Sequence, residues 1–173
     1  EYTENGSQHW TISRFYKKRN NIYKAILAFS EGEPLAVLGM CEVENTFVTT
    51  MLFQETPLKR HNYRVIHYEG EDRRGIDVAL LYRESVMTPV DITLKTPWYG
   101  GRELSTRDIL HSRMQLADGR NIDIIVNHHP SKFGGEDASE GRRNAAMMAL
   151  KDLGDSIGSG NVVAMGDFND SPE

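Results

Sequence analysis

The sequence predicts a layered α/β protein with a mixed sheet at its core, and three observations carry that prediction. Apolar runs of strand length alternate with stretches of helical periodicity. Turn signals, chief among them Asp118-Gly119, separate consecutive strand-like runs. Three of the apolar runs also stop abruptly on polar residues, as strands do where a buried sheet presents groups at its rim.

Taken in order, Ile12, Phe15, Tyr16, Ile22, Tyr23, Ile26 and Leu27 mostly follow helical spacing between Thr11 and Phe29, with a hydroxyl residue ready to cap and Gly32 just beyond. This predicts an amphipathic helix packed on a sheet. Pro34 opens an apolar strand over 35–42, and Asn45 caps a second helix through Thr46–Glu55 that Pro57 stops. Tyr63–Tyr68 and Ile76–Tyr82, rich in β-formers on either side of the polar turn 69–75, are expected as adjacent strands. The segment 98–106, with Trp98-Tyr99-Gly100-Gly101, reads as a loop. Asp108–Leu116 and Asn121–Asn127 then pair across the 117–120 turn. After the flexible Phe133-Gly134-Gly135, Ala138–Ile157 is helical, and Gly158-Ser159-Gly160 leads into a last strand over 161–166. The chain carries no internal repeat and no low-complexity tract.

A length of 173 residues with 39% hydrophobic and 26% charged residues fits one globular domain with a sizeable core. No apolar stretch approaches the ~18 residues of a membrane span. The N-terminus shows no basic-then-apolar secretion signal, and it opens on Glu1 rather than Met, which leaves room for a removed leader. The single Cys41 excludes an internal disulfide framework and reads as a buried, inert thiol within its strand. A net charge of −5 and a pI of about 5.7 argue against non-specific coating of nucleic acid by a basic surface. They leave room for a local phosphate site. Basic residues come in knots, Lys17-Lys18-Arg19, Arg73-Arg74 and Arg142-Arg143, the first of which reads as solvated surface.

The chemistry-bearing residues lie at strand ends. Leu35 to Cys41 runs straight into Glu42, Ile122 to Val126 into Asn127-His128, and Val162 to Gly166 into Asp167-Phe168-Asn169-Asp170. Carboxylates after runs this apolar sit partly desolvated at sheet edges and need a cation or a donor. Either acid alone reads as well as a cap for the next turn, whereas the two together with His128 favour one shared site. Carboxylate and amide oxygens suit Mg²⁺ or Mn²⁺, while zinc prefers clustered His and Cys. His128 and His129, adjacent on a strand, point to opposite faces and do not easily meet one ion. His9, His61, His67 and His111 lack zinc spacing and, with His129, take a structural reading. Arg107 begins the strand that hairpins with the one carrying His128, so its fork suits either a phosphate oxygen or a surface ion pair. Arg74 precedes a strand, and because strand starts and strand ends face opposite rims its role stays open.

Five segments together carry a resemblance: Gly39 to Asn45, Arg74 to Arg83, Thr106-Arg107-Asp108, Asn127 to Lys132, and Met165-Gly166-Asp167-Phe168-Asn169-Asp170. As an ordered set over about residues 35–171 they resemble the endonuclease/exonuclease/phosphatase superfamily of metal-dependent phosphoesterases. The resemblance implies a four-layer α/β/β/α sandwich, two mixed sheets packed face to face with helices outside. It implies that Glu42 binds the catalytic divalent cation, Mg²⁺ or Mn²⁺, and that Asp167 and Asn169 line the phosphate and nucleophile site. His128 is then expected at the scissile phosphate or leaving oxygen, with Arg107 supporting the phosphate. Two family features are missing from residues 1–173: a first strand ending in a metal-binding asparagine, and a closing Ser-Asp-His whose histidine is the usual base. The chain is therefore expected to be one domain cut from the middle of a longer protein.

The expected activity is hydrolysis of a phosphodiester by in-line attack of water, with nucleic acid as the first substrate and a monomer as the expected state. Trp98 and Tyr99 either stack on bases or pack on their own loop. A phospholipid or inositol-phosphate substrate is the alternative within the enzyme class, and a non-catalytic binding domain or inactive fragment the alternative outside it.

Overall fold

Thr11 starts the first helix by accepting a hydrogen bond from the Arg14 N–H at 3.3 Å, so the capping residue lies where the apolar periodicity begins. The structure, a computed structural model, describes residues 3–158 and 160–171; Ser159, assigned above to the turn before the last strand, lies outside the described residues, as do Glu1 and Glu173. Helix α1 (Ile12–Phe29) leads to β1 (Val37–Val43), and Asn45 caps α2 (Thr46–Phe53) through the Val48 N–H at 3.2 Å. Pro57 does stop α2, and then opens a 3₁₀ turn, Pro57–His61, that closes on left-handed Asn62. There follow β2 (Tyr63–His67), β3 (Asp77–Arg83), β4 (Met87–Lys95), β5 (Trp98–Tyr99), β6 (Arg102–Glu103), β7 (Ile109–Leu116), β8 (Asn121–His128), α3 (Glu136–Ile157) and β9 (Val162–Asp167).

Two sheets organise these strands. The first has the order β1-β3-β2 and the second β4-β7-β8-β9, with β5-β6 as a separate short hairpin. Within the described strands only the second sheet is mixed: β8 and β9 run parallel, joined by α3 as the crossover, whereas the first sheet is antiparallel throughout. The sheets pack face to face through Ile66, Val78, Leu80 and Tyr82 on one side and Leu110, Met114, Ile124 and Val126 on the other. Outside the first sheet, Ala79 and Leu81 meet Leu52 and Phe53 of α2 and the half-buried Ile22, Ile26 and Leu27 of α1. Outside the second, Ile109 and Ile125 meet Ala149 and Leu150 of α3. The result is the four-layer α/β/β/α sandwich. Among the described residues no helix is long and apolar enough to cross a membrane.

Two segments differ from their sequence readings. The expected loop 98–106 holds the hairpin β5-β6, turned by Gly100 and Gly101 at φ +63° and +79°. Strand β4 has no counterpart among the expected elements: it is an edge strand, mostly half-buried or exposed, and Pro89 sits at its register shift against β7. Proline normally counts against a strand, but at an edge bulge its missing N–H costs no ladder bond.

Candidate active site

Glu42 reaches the rim because β1 contains a bulge. Along β1, Val37 and Cys41 pack between the sheets while Leu38 and Met40 pack toward the helices. Strict alternation would send residue 42 to the helical side and bury it. Instead the register shifts between Met40 and Val43, Val43 takes the helix-facing place, and Glu42 stands exposed as the extra residue at φ +58°. A glutamate in the left-handed region is held there by the paired strands on either side of it.

Asp167 ends β9 directly beside His128, its parallel partner on β8. The turn that follows is local: Asp167 Oδ1 accepts the Asn169 N–H at 2.9 Å, and Asn169 adopts φ +50°. Gly166, just before it, has φ +138°, and a Cβ there would overlap the Asn127 carbonyl, so this close strand approach requires glycine. The end of β1 is tied to the same place, since Cys41 Sγ donates to the Asn127 carbonyl at 3.5 Å. Burial pushes the Cys41 thiol up, which keeps it protonated, in agreement with the inert reading.

His128 is the electrostatic centre. Burial pushes its imidazole down, Arg107 pushes it further, Asp167 and Glu42 pull it up, and Arg74 again opposes. The charges of both carboxylates and both arginines thus reach one ring, as expected where the ends of β1, β8 and β9 meet the starts of β3 and β7. His128 Nε2 stands 3.9 Å from Asp167 Oδ2, beyond a hydrogen bond, while its Nδ1 is buried without a partner. Burial and Arg107 thus bias the ring toward its neutral form.

Arg74 joins the rim because β3 runs antiparallel to β1, pairing Asp77 with Val43, so the start of β3 meets the end of β1. The expectation that starts and ends face opposite rims fails for antiparallel neighbours. Arg107 enters by the same geometry, from the start of β7 beside the end of β8. Its guanidinium is only 4% exposed; Nη1 donates to Asp72 Oδ2 at 3.1 Å and Nη2 to the His129 carbonyl at 2.6 Å. Asn169 Nδ2 donates to that same carbonyl at 2.8 Å. The backbone of His129 therefore positions two of the expected site residues, while its ring packs edge-on against Phe168 and is pushed down to about 4, chiefly by burial.

Asp72 is the site residue that carried no signal beyond its place in a polar turn. Burial lifts its carboxyl, but the Arg74 N–H and the Arg107 guanidinium outweigh it and hold Asp72 below the usual range. Its hydrogen bond to the Arg74 N–H, at 2.8 Å, is an Asx turn readable from spacing, whereas its pairing with Arg107 is long-range and unreadable. Asp170 is a second unread participant: it receives Lys132 at 2.9 Å and Arg143 at 3.6 Å, joining the loop after β8, α3 and the loop after β9. Both aromatics, Trp98 and Tyr99, are exposed, and Tyr99 also lays its ring against α3, where a Cβ at Gly141 would collide with it.

Glu42 and Asp167 are the anionic oxygens of this rim, and among the described residues no group of three or more His, Cys, Asp or Glu is assembled for a metal. That donor set does not fit a structural zinc site. It fits a hard, hydrated cation such as Mg²⁺, which keeps several waters and takes only one or two carboxylates.

Two stacked sheets thus gather carboxylates, an imidazole and a buried guanidinium at one rim, and comparison with known proteins gives the class. The family model described as Endonuclease/Exonuclease/phosphatase family matches residues 1–173, and the chain belongs to that family. Similar solved structures include the human Nocturnin catalytic domain with bound sulfate anion, at TM-score 0.68 and 17% identity, covering 91% of this chain and 58% of that one. A mannosyl-6-phosphatase of Bacteroides thetaiotaomicron aligns at TM-score 0.67 and 14% identity over 95% of this chain and 61% of its own. TDP2 of D. rerio, complexed with single strand DNA product, aligns at 0.59 and 16% over 90% and 55%. The chain thus spans under two thirds of each of these structures. No curated protein matches the sequence.

Proposed function

We propose that this chain is the core of a divalent-cation-dependent phosphoesterase that hydrolyses a phosphodiester, in nucleic acid first, by in-line attack of water. The observation that carries the reading is geometric: His128 and Asp167 end the parallel pair β8-β9 side by side, the β1 bulge turns Glu42 out, and the starts of β7 and β3 bring Arg107 and Arg74 to the adjoining strand ends. Glu42 would hold Mg²⁺ or Mn²⁺. When bound, the cation neutralises charge on a non-bridging phosphate oxygen and on the departing oxygen. His128 donates a ring N–H to the phosphate, and Asp167 accepts a hydrogen bond from the attacking water. Asn169, pinned to the His129 carbonyl, orients the phosphate, while Arg107, its fork already engaged, lends positive charge from behind.

The general base is assigned to a histidine outside residues 1–173, and these residues to a single domain that further strands complete. Supporting this, β1 and β9 are edge strands of their sheets among the described residues, and apart from Val43 their apolar side chains, Val37, Leu38, Met40 and Val163 among them, stay half-buried or exposed. Nucleic acid is placed first because the TDP2 structure holds a single strand DNA product on this fold.

In the full-length protein, Glu42→Ala is expected to lower Mg²⁺-dependent hydrolysis of bis(p-nitrophenyl) phosphate by several kcal/mol, on the order of a thousandfold. Undiminished turnover would refute the assignment. A panel of single-stranded DNA, RNA, sphingomyelin and inositol polyphosphates tests the substrate, and cleavage confined to the last two reverses the order.

A further inference from the structure

Beside the rim lies a cleft of about 530 Å³, bounded by the turn after β2, the β5-β6 hairpin, the loop after β8 and α3. Five arginines line it, Arg73, Arg74, Arg102, Arg107 and Arg142, against one carboxylate, Glu103. In a chain of net charge −5 this is a local concentration of positive charge, not a reflection of composition.

The hairpin is what brings the cations together. Tyr99 pairs with Arg102 across β5-β6 and packs its ring on Gly141 of α3, which brings Arg102 and Arg142 to the lining of one cleft. Its neighbour Arg143 is buried and committed to Ser139 and Asp170, so only Arg142 faces outward. Among the described residues Arg73, Arg102 and Arg142 are exposed and have no carboxylate partner, and Arg107 adds a buried Nε without an acceptor. Like charges lining one cleft repel unless an anion joins them. Arg107 and Arg74 belong both to this cleft and to the rim around His128.

The geometry points to a second phosphate subsite, centred on Arg102 and Arg142, that receives a phosphate other than the one being hydrolysed. This rests on the phosphoesterase reading and narrows it: the substrate carries at least two phosphates. A nucleic-acid backbone and an inositol polyphosphate both present that chemistry, and the experiment separates them.

The test is equilibrium binding to the full-length protein without divalent cation, using labelled hexathymidylate by fluorescence anisotropy and myo-inositol hexakisphosphate by calorimetry. Whichever probe the natural protein holds identifies the source of the second phosphate. Arg102→Ser/Arg142→Ser is expected to weaken that probe about tenfold. For hexathymidylate it should also reduce the log–log salt slope by about 1.4, two contacts at roughly 0.7 each. Arg102→Lys/Arg142→Lys should recover most of the affinity. The control Arg64→Ser/Arg120→Ser removes equal charge from the exposed pairs with Glu84 and Asp118, and is expected to change affinity less than about twofold. Equal weakening by the control, unchanged affinity in the cleft variant, or no binding of either probe overturns the subsite. Turnover of bis(p-nitrophenyl) phosphate that survives Glu42→Ala instead overturns the phosphoesterase reading, and it is measured separately from these affinities.

Discussion

His129 shows how little a residue's chemical type says about its task. Its carbonyl anchors Arg107 and Asn169, and its ring, 2% exposed, is buried edge-on against Phe168 with Asn127 Nδ2 3.5 Å from its Nε2. Keeping that ring neutral has a pH signature. The unfolded imidazole takes a proton near 6.5, the folded one at about 4, so between those values the unfolded state binds more protons. Stability is therefore full above 6.5, falls as pH drops toward 4 and levels off below it, by about 3 kcal/mol in all. His128, also pushed down, adds a loss of the same sign below its unfolded value. Urea unfolding at pH 7 and pH 4.5 measures the loss, and His129→Gln should remove most of the difference; an unchanged slope would locate the proton uptake elsewhere. Asp72 makes the complementary case, because it neutralises a buried guanidinium from a side chain only 6% exposed. Asp72→Asn is expected to destabilise by about 3 kcal/mol in the same unfolding measurement, since it leaves Arg107 buried and unpaired.

Elements matter here mainly through how they end. The bulge in β1 turns one glutamate outward, and the parallel pair β8-β9 delivers His128 and Asp167 side by side. That pair closes only because residue 166 has no side chain. Gly166→Ala combines a forbidden φ with a collision against the Asn127 carbonyl, so it should cost more than about 1 kcal/mol and separate His128 from Asp167. The expected result is a lowered thermal midpoint together with lost turnover; an alanine variant of natural stability would contradict the close approach. The elements themselves were largely readable. Thr11 and Asn45 cap helices where the hydroxyl and amide stand, and the Asp118-Gly119 hairpin joins β7 to β8. Strand β4 was not readable, because an edge strand with one half-buried face lacks a strong alternation and Pro89 masks the rest. The β5-β6 hairpin is two residues per strand, too short for any periodicity to register.

Stacking of the two sheets fixes where all these ends meet. Leu80, fully excluded from solvent at the centre of the inter-sheet core, holds β3 against the second sheet. Leu80→Ala should cost about 2–5 kcal/mol by denaturant midpoint, and a smaller loss would mean that the sheets collapse onto the cavity. Because sites at the rim depend on that stacking, the same variant should lose activity at temperatures below its own unfolding transition. Local pattern was enough to establish the α/β class, the helix caps, most strands, and the run of Glu42, His128, Asp167 and Asn169 at strand ends. These depend on the periodicity of neighbouring residues, which a single chain displays directly. Arg107 too was readable, from its hairpin with the His128 strand; what came only with the fold were its burial against Asp72 from a distant turn, Arg74 at a strand start, and the arginines gathered by the β5-β6 hairpin. Their proximity follows from antiparallel register and from one layer packing on another. Those are relations between segments far apart in sequence, and local spacing carries no record of them.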